Sequence, residues 1–404
     1  MSEDVPDPEG VFDPERHQPL AGGPWDAALA RTAIDEIVAD FVTSRRADGS
    51  WPTHLLDGGE LPGNERHWTS YFGAAGAVSS LRILRAAGYD APDLSSSLVE
   101  IADAYRKEPD RELETGLQMG EIGILAPAVL ADPSDRPLGD RLERAMEGIL
   151  GHPAREITSG ETGALHAALT LFRATADPRW QRQSERLARS LVQSWEERAN
   201  GHWHWTSHVF GFQRSYYGAC HGVAGNGGAL LRALEFLPEL DAETIVRRVA
   251  RTLLGGALEE GEGLNWPVSE DALGTRRLVQ WCHGAPGVVT ALAKAPPMQE
   301  LDCLLLRAGE FVWKAGPLRK GPGLCHGTAG NGYAFLGLAQ RTGEARWLDR
   351  ARVFAMHGVR QRRRARARYG QGRFTLWSGD GGLAVFLSHC LEPERTAFPG
   401  LELL

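Results

Sequence analysis

Two kinds of apolar pattern alternate along the chain. One is a short run that is apolar or small on every side, such as Ala77–Leu84, Ala164–Phe172 or Tyr333–Leu338. The other is a longer stripe with apolar residues on one helical face. Leu187, Leu191, Val192 and Trp195 form one such stripe, and Ile245, Val246, Val249, Leu253 and Leu254 another. A stripe predicts a helix with one side in water, whereas an all-round apolar run predicts a helix enclosed by its neighbours. Runs of strict apolar–polar alternation joined by hairpin turns are sparse, so strands are expected to contribute little.

A glycine phrase introduces each all-apolar run. Seven are visible: Tyr71–Gly76, Met119–Gly123, Ser159–Gly163, Cys220–Gly225, Cys282–Gly287, Cys325–Gly330 and Ser378–Gly382. Each has a glycine, two variable residues and another glycine, and the phrases recur at irregular intervals of roughly 40 to 65 residues. Every unit therefore reads as loop, glycine turn, apolar helix, connection and amphipathic helix. An apolar helix needs a second shell around it. The prediction is an all-α fold, an α/α toroid with about seven inner and about seven outer helices. Glycines at the start of the inner helices would let the loops crowd around a central mouth. An open solenoid fits less well, because the terminal units show no polar capping character. Residues 26–404 are expected to form a single toroid domain. Residues 1–25, rich in proline and aspartate, are expected to be an extended arm lying on the ring.

Composition narrows the function. The chain has 404 residues, with 52 acidic against 44 basic side chains and a formal charge of −8. That excess argues against nucleic acid as a partner, which would require a basic face to replace phosphate counterions. No apolar stretch has the length of a membrane span. The acidic start lacks the apolar core of a signal peptide. Five cysteines, an odd number, form no disulfide framework and read as cytoplasmic thiols.

Three of the five stand in one register: Cys220-His221-Gly, Cys282-His283-Gly and Cys325-His326-Gly. In a toroid, equivalent positions of neighbouring units face each other around the mouth. Thiols and imidazoles would then converge from loops far apart in sequence, which is the ligand set of Zn²⁺. Spacing alone leaves open which of the six side chains bind. A closed structural site would take four, and an open catalytic one three.

The strings Trp281-Cys-His-Gly-Ala-Pro-Gly287 and Gly323-Leu-Cys-His-Gly-Thr-Ala-Gly-Asn331 resemble those of the lanthionine synthetase C-like (LanC-like) family. Gly218-Ala-Cys-His-Gly222 is similar to its Gly-x-x-His-Gly motif, and the similarity runs over residues 65–390. The resemblance implies an α/α toroid with zinc at its mouth, held by Cys282, Cys325 and His326, the fourth position being left to water or a substrate thiolate. It makes His221 the counterpart of the family's catalytic histidine. It makes Glu156, in Glu156-Ile-Thr-Ser-Gly160, the positional match for the acidic active-site residue. Cyclases of the family tend to carry Asp there and eukaryotic relatives Glu. His283 stands where several bacterial cyclases have Tyr and eukaryotic-type members have His. Cys220 replaces a small residue and is expected to pack. An arginine that some cyclases carry just before the Trp-Cys pair has only Arg276 and Arg277 nearby, out of register.

The activity implied is zinc-dependent lanthipeptide cyclisation. A peptide cysteine thiol adds to dehydroalanine or dehydrobutyrine, forming a (methyl)lanthionine ring. The partner implied is a dehydrated ribosomal precursor peptide made by a separate dehydratase or kinase-lyase enzyme. Glutathione addition to dehydroamino acids in proteins, as in eukaryotic-type members, is the alternative. A glycosidase using Glu156 and Asp380 as paired carboxylates gives no reason for the repeated Cys-His pairs.

Other features read as structural. The cluster of His202, Trp203, His204, Trp205 and His208 is expected to cover a groove. The six arginines of Arg360–Arg368 are expected to line a solvated outer helix. Cys303 and Cys390 are expected in the core, and Asp380 at the mouth or capping its helix.

Overall fold

The all-apolar runs become helices whose first turns are held by the chain that precedes them. A computed structural model describes residues 15–58, 66–209, 211–272 and 278–402. Among the described residues there are fifteen α-helices. They are α1 (Ala27–Ser44), α2 (Leu55–Gly58), α3 (Ala74–Ala86), α4 (Ser97–Lys107), α5 (Ile122–Ala131), α6 (Arg136–Gly148), α7 (Glu161–Thr175) and α8 (Pro178–Gln193). There follow α9 (Val223–Arg232), α10 (Ala242–Gly256), α11 (Ala285–Leu292), α12 (Gln299–Ala315), α13 (Thr328–Thr342), α14 (Ala345–Tyr369) and α15 (Asp380–Leu391).

From α3 onward the odd-numbered helices form the inner ring and the even-numbered ones lie outside. Each inner helix contacts the next, and α15 contacts α3, so the ring is closed. The outer partner of α15 is α1. The seventh hairpin is thus assembled from segments at opposite ends of the sequence. Every residue of α13 from Thr328 to Leu338, and of α15 from Asp380 to Cys390, is buried. The outer helix α8 buries only one stripe, including Trp180, Leu187, Ala188 and Leu191. In α10, Ile245, Val246, Val249 and Leu253 are buried, but Leu254 is 44% exposed. At 100° per residue Leu254 points away from the stripe that Val249 and Leu253 define.

The two rings begin their helices differently. Outer helices α1, α6, α8 and α10 have aspartate caps: Asp26, Asp135, Asp177 and Asp241 each accept from a backbone N–H of the first turn. Six of the seven inner helices have glycine at that position and no side-chain cap. In four of them the first N–H is taken by a loop carbonyl seven residues back, and in α11 Ala285 N–H donates to Asn265 Oδ1 (2.8 Å). Ala74 donates to His67 (2.9 Å), Val223 to Tyr216 (3.0 Å), Thr328 to Gly321 (2.9 Å) and Asp380 to Arg373 (2.8 Å). The loop lies so close that side chains are excluded. A Cβ on Gly225 would stand 1.8 Å from the Ala219 oxygen, and one on Gly330 1.7 Å from the Leu324 oxygen.

The loops are also tied to one another around the mouth. Tyr71 N–H donates to Gln118 O (2.8 Å), Gln118 to Thr158 (2.9 Å), Ile157 to Cys220 (2.9 Å), Cys282 to Cys325 (3.2 Å) and Cys325 to Trp377 (2.8 Å). Among the described residues three strand pairs decorate the connections: β1 (Glu196–Glu197) with β2 (Trp203–His204), β3 (Ser207–Val209) with β4 (Phe212–Arg214), and β5 (Leu258–Glu260) with β6 (Gly263–Asn265), all antiparallel.

Inside the ring runs the segment Thr396–Glu402. Its Phe398 ring stacks on Trp281 (4.8 Å, 13°) and meets Tyr333 edge-on (4.8 Å). Lys294 ties the segment down through Thr396 O (3.0 Å) and Glu402 (2.7 Å). At the other end of the chain residues 1–14 of the expected arm lie outside the described residues. The stretch that follows lies on the outer wall, where Arg16 O accepts from Arg319 N–H (2.7 Å) and Ala21 N–H donates to His357 Nδ1 (2.9 Å).

Candidate active site

The register that carries the cysteines sets the site. Two residues before the first glycine of each phrase stand Tyr71, Gln118, Thr158, Cys220, Cys282, Cys325 and Trp377. The Sγ atoms of Cys282 and Cys325 and a ring nitrogen of His326 all lie within 4.8 Å of one another. Two sulfurs sharing a tetrahedral zinc at about 2.3 Å each would be about 3.8 Å apart, so the donor set fits that ion. Gln280 Nε2 donates to Cys282 Sγ (3.0 Å), and the Tyr71 hydroxyl is hydrogen-bonded to Cys325. Contact with Cys325, reinforced by the His283 and His326 imidazoles, holds the Cys282 thiol well below its ordinary range despite burial. The same contact, with burial, pushes Cys325 up.

A second cluster joins Glu156, Cys220 and His221, again within 4.8 Å. His221 Nδ1 is 2.8 Å from Glu156 Oε2. The fully buried carboxylate also accepts from Thr158 N–H (2.8 Å), from Ser159 N–H (2.6 Å) and from the Thr158 hydroxyl. Burial alone would raise its pKa, but the His221 contact and these hydrogen bonds outweigh it and hold the carboxyl below its usual value. Cys220 contacts Gln118 at 4.0 Å, and burial pushes its thiol well up, as suits a packing residue.

The His221 ring stacks on His283 (5.1 Å, 28°), and Tyr216 lies against both, at 5.6 and 6.0 Å. Because His283 follows Cys282, this stack joins the two clusters. Burial lowers the His283 pKa to about 4, so its ring is neutral at pH 7. Glu156 is fully enclosed, but His283 and His326 are half-buried, which opens the floor of the mouth to solvent.

The five predicted site residues thus fall into two adjoining groups: Cys282, Cys325 and His326 in one, Glu156 and His221 in the other. Asp380 belongs to neither. It accepts from Arg373 N–H (3.1 Å) and lies 3.8 Å from Arg362, and burial pushes its carboxyl up to about 6 against those cations. Glu156 and Asp380 have separate partners and do not act as a pair. Arg276 and Arg277 lie outside the described residues. Cys390 is in the core, but Cys303 is exposed. It falls off the α12 stripe of Leu301, Leu304, Leu305, Ala308, Phe311 and Val312. The aromatic cluster packs: Trp195 and Trp205 stack at 4.7 Å, and Arg248 lies 3.7 Å over Trp203. Tyr71, Gln118 and Gln280 were not anticipated as site residues. The signal for the first two was their shared register with the cysteines.

The family model for lanthionine synthetase C-like protein matches residues 60–403. The chain belongs to this family. Within it, the chain is 34% identical over 194 residues to Glutathione S-transferase LANCL1 of Danio rerio, covering 47% of each. It is 33% identical over 198 residues to LanC-like protein GCL1 of Arabidopsis thaliana, covering 46% of this chain and 43% of that one. The chain spans about half the length of these curated relatives. Nisin cyclase shares the LanC-like toroid, with a TM-score of 0.62 at 16% identity over 90% of this chain and 94% of that one.

Proposed function

We propose that this chain is a zinc-dependent cyclase that adds peptide cysteine thiols to dehydroalanine or dehydrobutyrine in a dehydrated ribosomal precursor. The observation that carries the reading is the meeting of two sulfurs and an imidazole from neighbouring turns beside a bonded Glu156–His221 pair. Cys282, Cys325 and His326 would hold the zinc, which when bound favours the thiolate form of an incoming thiol. Two protein thiolates cancel the ion's formal charge and leave a bound sulfur nucleophilic, whereas a carboxylate-rich site would suit water activation.

The thiolate sulfur bonds to the alkene β-carbon, and the π electrons move onto the α-carbon and its carbonyl. His221 holds a proton within reach of this site and delivers it to the α-carbon. Glu156 orients the ring through Nδ1. Mass is unchanged, since the thiol proton is formally returned to carbon. Dehydration falls to a separate dehydratase or kinase-lyase enzyme. No described helix is long and apolar enough to cross a membrane, and the free thiols suit the cytoplasm.

A second reading replaces the peptide thiol by glutathione. The relative named Glutathione S-transferase LANCL1, at 34% identity, supports it. So do Glu156 and His283, which follow the eukaryotic-type pattern. One experiment separates the two. A dehydrated, cysteine-containing peptide is incubated with the protein and then alkylated. Protection of the thiol at constant mass supports cyclisation. A glutathione adduct on a cysteine-free dehydroalanine peptide, without such protection, supports the second reading, and neither product defeats both.

A further inference from the structure

The longest helix, α14, outreaches the ring. Gln361 is level with the start of α13, since it accepts from the Thr328 hydroxyl (2.6 Å) and donates to Leu318 O (2.6 Å). Residues 362–369 therefore continue about 12 Å beyond the first residue of the neighbouring inner helix, at the mouth end. Five of the six arginines stand on this overhang, and Arg360 lies just before it. Arg362, Arg363 and Arg366 turn to α1, where they pair with Glu36 and Asp40. Arg360, Arg364 and Arg368 are exposed and, among the described residues, have no carboxylate partner. They stand four residues apart on one face. At the tip, Tyr369 meets His54 edge-on at 4.8 Å. The next two residues, Leu55 and Leu56, are 44% and 53% exposed.

We infer that this rim is a docking strip for an acidic peptide segment with apolar side chains at its Tyr369 end, lying outside the part of the substrate that reacts. The inference rests on the peptide-substrate reading above. Guanidinium groups four residues apart recur about every 6 Å along a helix. An extended peptide places alternate side chains about 6.7 Å apart on one face. Acidic residues at every second position match the arginines, and past the Tyr369 end of the strip an apolar side chain of the same segment can meet Leu55 and Leu56. A flat anionic membrane is a poorer partner, because the strip is narrow and the chain as a whole carries a charge of −8.

The test uses the full-length protein and a labelled peptide of alternating glutamate and leucine, without cysteine or dehydroamino acid, followed by fluorescence anisotropy. The wild type binds it better than an alternating lysine–leucine peptide, and added salt weakens the complex. The R360Q/R364Q/R368Q variant loses about tenfold or more in affinity, while its turnover of a short neutral dehydrated peptide stays at the wild-type rate. Unchanged affinity in the variant, equal binding of the lysine peptide, or capture by anionic phospholipid vesicles in place of the peptide would each overturn the strip. Absence of turnover in the wild type would count against the proposed chemistry and leave the binding result readable.

Discussion

Replacing Gly330 by alanine tests how the sulfur-bearing loops are held. Gly330 is the third residue of α13, and alanine there would ordinarily stabilise a helix by about 0.5–1 kcal/mol. The structure reverses the sign. The new Cβ would lie 1.7 Å from the Leu324 carbonyl oxygen, where side chains essentially never approach within 3.0 Å. The neighbour is backbone, and the Cys325 N–H beside it is fixed to Trp377 O at 2.8 Å. Relief requires the loop to move by more than an ångström, at a cost of about 3 kcal/mol. Gly148, the last residue of α6, is the control, because its Cβ would meet nothing within 4 Å. Urea unfolding should show Gly148→Ala gaining up to about 1 kcal/mol and Gly330→Ala losing about 3 kcal/mol. Gly330→Ala should also bind zinc more weakly, since Cys325 moves with Leu324. A Gly330→Ala protein as stable as Gly148→Ala would refute the argument from close approach.

Other outcomes follow from the same geometry. Phe398→Ala removes a buried ring from beneath Trp281 and should cost about 3–5 kcal/mol. Chelator competition should also show weaker metal binding, because Trp281 precedes Cys282; unchanged metal affinity would contradict that link. Glu156→Gln keeps the shape but removes the charge opposite His221, so turnover should fall while metal content holds. The Glu156 carboxyl titrates lower when folded than unfolded. Its stabilisation is therefore present above the unfolded value and lost as pH falls through the folded one, and the Gln variant should flatten that acid limb. Under native conditions a thiol reagent should modify Cys303 and spare Cys220 and Cys390, read by peptide mass mapping.

The sequence made the ring legible because burial and close approach both leave marks. Helices buried on all sides show no polar face, and paired glycines stand where loop carbonyls press on a helix start. The convergence of Cys282, Cys325 and His326 was legible for a related reason, since one register repeated across units points to one place. Contacts between distant segments left no such mark. Nothing in Ala27–Ser44 announces that α1 completes the hairpin of α15, nor in Phe398 that it supports Trp281. The ring stack of His221 on His283 depends on how two loops meet, which spacing does not encode. Cys303 and Leu254 were misplaced by reading hydrophobicity without phase: both fall outside the stripe that their own neighbours define.

The central claim is that Cys282, Cys325 and His326 jointly hold one zinc. Elemental analysis of the purified wild type and of Cys282→Ala and Cys325→Ala, each checked for helical content by circular dichroism, tests it most directly. One zinc per chain in the wild type, and loss of it in both folded variants, is the predicted result. Zinc retained in full by a folded Cys325→Ala protein, or absent from a wild type purified with zinc supplied, would contradict it.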